Sequence, residues 1–152
     1  MADCAVLGIG NRDRGDDAIG LLILEALERR DLDGVDLHPG DGDPGWMIDT
    51  LDGRRCAVVV DAMRTGAAAP GTVVVIDASA HEVPAMTRLS SSHAMGAAAS
   101  LELARALGML PDRVVVVGVE AGSMRLGDEV TSEVANAVEM AADAVMEALA
   151  DA

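Results

Sequence analysis

Apolar and polar positions divide the chain into alternating runs. Cys4 to Ile9 is a short continuous apolar stretch, the pattern of a strand covered on both faces. After a Gly-rich turn, Ile19, Leu21, Leu22, Leu24, Ala26 and Leu27 fall largely on one helical face, and that pattern ends near Arg29 and Arg30. Val35 to His38 reads as a weaker second strand. It leads into Pro39-Gly40-Asp41-Gly42-Asp43-Pro44-Gly45, a dense loop signal. A short helix from about Trp46 to Leu51 follows, and Arg55 to Asp61 is the clearest buried strand, closed by a carboxylate. Thr72 to Ile76 and Arg113 to Val119 give two further strands. His93 to about Leu107 gives a helix capped by Ser91 or Ser92, and Val130 to Ala150 a closing amphipathic helix.

Connection lengths then set directions. The stretch between Asp61 and Thr72 is too short for a parallel crossover, which needs roughly a dozen residues and usually a helix. The strand at about 72–76 is therefore expected to run antiparallel to the third. The alternation elsewhere predicts an α/β fold: a three-layer α/β/α sandwich around a mainly parallel, twisted five-stranded sheet, phosphorylase/hydrolase-like, in one domain spanning 1–152. In such sheets ligands bind outside the carboxyl ends of the parallel strands. Asp16 and Asp17 follow strand one, Asp41 and Asp43 follow strand two, Asp61 ends strand three and Glu120 follows strand five, so all are expected at that edge. The long stretch 77–92, without apolar periodicity, must climb back over the sheet. It delivers His93, at the start of its helix, to the same edge.

Composition narrows the partners. The formal net charge is -15, and a nucleic-acid binder needs a basic face, so nucleic acid is not expected. No apolar run approaches the ~20 residues of a membrane span, and the N-terminus lacks a signal-peptide pattern, so a cytoplasmic protein without a membrane partner is expected. All 11 basic residues are arginine, and aromatics make up only 1%, so the core must be aliphatic. Cys4 and Cys56 sit inside apolar runs and read as buried free thiols.

Two carboxylates and an imidazole arriving from three separate segments make a candidate divalent-metal site of Asp17, Asp61 and His93. Oxygen and imidazole ligands suit Zn, Ni, Mn or Fe, and three protein ligands leave a position open for water or substrate. Each residue also has a plainer reading: Asp17 as a first-turn acid stabilising its helix, Asp61 as an acceptor for loop amides, His93 as an exposed first-turn residue. Their convergence favours function. Nucleotide binding is disfavoured, because Asp13 stands where a dinucleotide fingerprint wants glycine, and Asp13, Asp16 and Asp17 would repel a pyrophosphate. No Gly-x-Ser-x-Gly elbow occurs, and neither His38 nor His81 has a partner at metal-ligand spacing.

The turn Gly8-Ile9-Gly10-Asn11 with Asp16-Asp17, the run Val58-Val59-Val60-Asp61-Ala62 and the segment Ser92-His93-Ala94-Met95-Gly96 together resemble the [NiFe]-hydrogenase maturation endopeptidases. The order of the three motifs is right. Val117-Gly118-Val119-Glu120 and the 40–45 loop are similar too. The resemblance implies a hydrolase, classed as an aspartyl-type endopeptidase, that removes a C-terminal extension from the precursor of a hydrogenase large subunit after nickel insertion. It implies Asp17, Asp61 and His93 as the metal-binding trio. Beside that trio, Asp16 or Glu120 could serve as a base, and Asn11 could donate to a developing oxyanion or simply form the turn. The metal would be nickel supplied by the substrate, and another divalent ion such as Zn or Cd could take its place in a crystal. A monomer is expected. Ala18 stands where many members have Gly, and the spacer Arg12-Asp13-Arg14-Gly15 is more polar than in some. The competing readings are a non-catalytic metal- or nucleotide-binding α/β module and a general metallopeptidase.

Overall fold

Strand β1 (Cys4–Ile9) lies one strand in from the edge of the sheet and is buried along its whole length, as its unbroken apolar run requires. The computed structural model describes residues 1–80 and 96–152. A 3-10 turn (Gly15–Ala18) leads into α1 (Ile19–Glu28), followed by β2 (Val35–Gly40), α2 (Pro44–Leu51), β3 (Cys56–Met63) and β4 (Val73–Asp77). Then come α3 (Gly96–Ala106), β5 (Arg113–Glu120), α4 (Ser132–Ala135) and α5 (Val138–Ala150). The expected helix start at Ser91–His93, and His81, lie outside the described residues.

The five strands form one sheet in the order β2-β1-β3-β5-β4, parallel throughout except for the β4–β5 pair. This is the expected mainly parallel sheet with one antiparallel strand. The antiparallel strand pairs with β5, and β3 lies on the far side of β5. Alternate strand residues then face two aliphatic layers. Val6, Val58, Val60, Val115 and Val117 pack with α1 and α5, while Leu7, Val59, Val114 and Val116 pack with α2 and α3.

Several boundaries move, for physical reasons. β3 continues past Asp61, because its pairing with β5 runs on through Asp61↔Gly118 to Met63↔Glu120. β2 extends over Pro39, which an edge strand tolerates because its outer side needs no amide donor. α2 starts earlier, at Pro44, because Asp43 caps it: Oδ2 accepts from Trp46 N at 2.9 Å. The single closing helix is two helices, α4 and α5.

Arg54 ties polar groups together at the opposite end of the sheet. Arg54 donates to Ala2 O at 2.7 Å and to Asp36 Oδ2 at 2.5 Å, and its Nη2 lies 3.1 Å from His38 Nε2. The guanidinium holds the Asp36 carboxyl below its ordinary range. Cys4 and Cys56 are buried free thiols, directly opposite each other on β1 and β3. Burial, then the contact with Cys4, pushes the Cys56 thiol up to about 11. No helix among the described residues is long and apolar enough to cross a membrane.

Candidate active site

The turn after β1 is shaped by close approach. A Cβ on Gly10 would lie 2.1 Å from Asp17 O, and one on Gly20 would lie 2.2 Å from Ile9 O. Neither Gly8 nor Gly10 has a positive φ; their role is to let strand and helix touch. Asn11 completes the turn: its N–H donates to Asp17 O at 3.2 Å, and its Oδ1 accepts from Asp13 N at 2.9 Å. These contacts leave Asn11 as a shaper of the loop. The two acids lie in the 3-10 turn, ahead of α1 proper, and both are buried.

Asp61 is fully buried in β3. Strand alternation puts it on the side of Val59, toward the α2–α3 layer. Its Oδ1 accepts from Ala62 N at 2.8 Å, and Oδ2 has no hydrogen-bond partner among the described residues. Desolvation raises its carboxyl well above the ordinary value, the negative charge of Asp17 raises it further, and the Ala62 amide opposes both. Asp17 and Asp61 are thus brought together as expected, an electrostatically coupled pair at the carboxyl edge of the sheet.

His93 lies outside the described residues, just before α3. Arg105, near the far end of α3, donates to Ala78 O and Ser79 O at 2.7 and 2.8 Å, which pins that end beside the close of β4. An α-helix of this length rises roughly 16 Å. The start of α3 is therefore carried back toward the edge holding Asp17 and Asp61. Among the described residues no group of three His, Cys, Asp or Glu side chains is arranged to hold a metal.

The remaining acids are bound up with loops. Asp41 Oδ1 accepts from Asp43 N, and Asp43 caps α2. Glu120, 2% exposed, accepts from Thr65 N at 3.0 Å and from the Thr65 hydroxyl, which ties down the loop between β3 and β4. Asp16 is fully buried and accepts from Gly122 N (2.7 Å), Ser123 N (3.1 Å), Thr131 N (2.7 Å) and the Thr131 hydroxyl (2.9 and 3.0 Å to its two oxygens). Asp16, with donors on both oxygens, is placed to hold the loop, and Glu120 is placed to hold Thr65. Thr65, Gly122, Ser123 and Thr131 are the residues sequence reasoning missed. Thr131 lies 115 positions from Asp16, and no spacing signal spans that interval.

Fold and site together define a mixed-sheet α/β protein with a buried acid pair toward the carboxyl ends of its parallel strands. The model of the HycI hydrogenase maturation protease family matches residues 23–148. That match begins after Asp17, so it includes Asp61 but not Asp17. The Escherichia coli (strain K12) hydrogenase 2 maturation protease is 33% identical over 147 residues, covering 95% of this chain and 88% of that protein. The structure of the hydrogenase maturating endopeptidase HybD from E. coli superposes with a TM-score of 0.84 at 32% identity, over 99% of this chain and 93% of that one. The [NiFe] hydrogenase maturation protease HybD from Thermococcus kodakarensis gives 0.74 at 25% identity, over 97% and 98%. The chain belongs to the hydrogenase maturation protease family and is a peptidase.

Proposed function

We propose that this peptidase removes the C-terminal extension of a [NiFe]-hydrogenase large-subunit precursor once nickel is in place, and that Asp17, Asp61 and His93 grip the nickel the substrate carries. The observation that carries this reading is Asp61. Its Oδ2 is buried without a hydrogen-bond partner among the described residues, and it stands in the field of a second buried carboxylate. Such a pair is unfavourable alone and is relieved by a divalent cation. Carboxylate oxygens suit nickel or zinc, and a histidine would complete a three-ligand set with a position open to the substrate. The names of the E. coli and T. kodakarensis relatives support a hydrogenase as the object of processing.

On this reading the protein contributes a rigid acid pair and a shaped edge. Bound nickel would supply Lewis acidity or simply hold the scissile bond in position. Asp16 and Glu120 accept from loop donors and brace the loops around the pair. The test is a mass spectrum of a nickel-loaded precursor before and after incubation with the protein. Loss of the extension's mass, absent with a nickel-free precursor and absent with Asp61→Asn or His93→Ala, is expected. An unchanged C-terminus across nickel-loaded precursors would overturn the proposal. Cleavage of unrelated peptides with added zinc would point to a general metallopeptidase instead.

A further inference from the structure

The post-β5 loop, residues 121–131, is fastened to the turn that carries Asp17 by an unusual concentration of hydrogen bonds. Three run between backbones: Gly15 N to Asp128 O (3.1 Å), Asp16 N to Ser123 O (2.8 Å) and Gly127 N to Asp13 O (2.7 Å). The Asp16 carboxylate then gathers the amides of Gly122, Ser123 and Thr131 and the Thr131 hydroxyl. Gly15 fits this junction for two reasons. Its φ is +54°, and a Cβ would lie 2.6 Å from Ser123 O. Met124, within the segment, and Val134, just after it, bury in the α1–α5 layer and anchor the segment there.

We propose that Asp16 is a positioning residue: it locks loop 121–131 onto the 3-10 turn and thereby fixes the carboxylate of its neighbour, Asp17. The proposal rests on the reading of Asp17 as a site residue. Its physical basis is that a buried carboxylate must have its acceptor sites satisfied, and here donors from the loop converge on both oxygens. Four donors from one loop leave the turn a single orientation. The side chain adjacent in sequence inherits that orientation through a 3-10 backbone with little freedom. Groups that orient a ligand residue typically affect affinity or activity by roughly 10–100-fold when lost.

Two measurements test it on Asp16→Asn, Thr131→Val and Thr131→Ser. The asparagine keeps the shape, loses the charge and turns an NH2 toward amide donors. The valine removes only the hydroxyl, and the serine restores it. Amide hydrogen exchange is expected to quicken in 15–18 and 121–131 together for Asp16→Asn and Thr131→Val, to stay at wild-type rates in β1, β3 and β5, and to recover in Thr131→Ser. In cleavage of the nickel-loaded precursor, kcat should fall roughly 10–100-fold for Asp16→Asn and less for Thr131→Val, with KM changed by less than about twofold. Exchange that quickens in 121–131 while 15–18 stays protected would overturn the proposal. So would a wild-type kcat in folded Asp16→Asn, or a rise in KM alone. If wild-type protein cleaves no precursor, the functional reading fails by itself, and exchange still decides whether Asp16 couples loop and turn. If Asp16→Asn does not fold, the Thr131 pair carries both readouts.

Discussion

The Asp61 carboxyl is held in a place that disfavours its own charge, and this has a consequence for stability. Because its value is raised in the folded protein, the native state retains a proton that the unfolded chain has lost. Its contribution is therefore complete below the ordinary carboxylate range and is lost as pH rises through the raised folded value. Asp61→Asn keeps an oxygen for the Ala62 amide and removes the charge. Calorimetry without divalent ions should find the variant more stable than wild type at neutral pH, by about 1 kcal/mol, with the difference shrinking toward acid pH. Processing activity should be lost in the same variant. A destabilised Asp61→Asn would mean that the carboxylate is structural. The glycines separate in the same way. Gly10→Ala meets the immovable Asp17 carbonyl and should cost about 1–3 kcal/mol or more in denaturant unfolding. Gly118→Ala meets only the flexible Met63 side chain and should cost less.

At the scale of elements, the strand–turn–helix unit was readable because its parts are local: an apolar run, a break, a 3.6-residue periodicity. The ends of elements were not, because partners decide them. Asp61 looked terminal in the sequence, yet β5 offers it a continuing ladder, so the acid sits within the strand, with two further residues beyond it. Ion pairs between elements show the same dependence. Arg30 at the end of α1 reaches Glu139 and Asp143 on α5, each at 2.7 Å, and these acids raise its already high value further. The acidic partners are largely exposed, so solvent screens the pairs. Arg30→Ala should cost no more than about 1 kcal/mol in denaturant unfolding, and less at high salt.

Across the whole molecule, a formal charge of -15 on 152 residues works against compactness. Raising salt from low ionic strength to about 0.5 M at neutral pH should raise the Tm, because screening reduces self-repulsion more than it weakens the few exposed ion pairs. A falling Tm would show that the ion pairs outweigh the repulsion. The sequence by itself determined the alternation of strands and helices, the single antiparallel strand and the edge at which Asp17 and Asp61 meet, because periodicity and connection length are local quantities. Only the tertiary structure decided what surrounds each acid. Asp16 and Asp17 are neighbours of the same type, and nothing in their order separates them. A loop from the far end of the chain folds back and saturates Asp16 with donors. Burial beside Asp17 raises the carboxyl of Asp61, and one of its oxygens is left without a described partner.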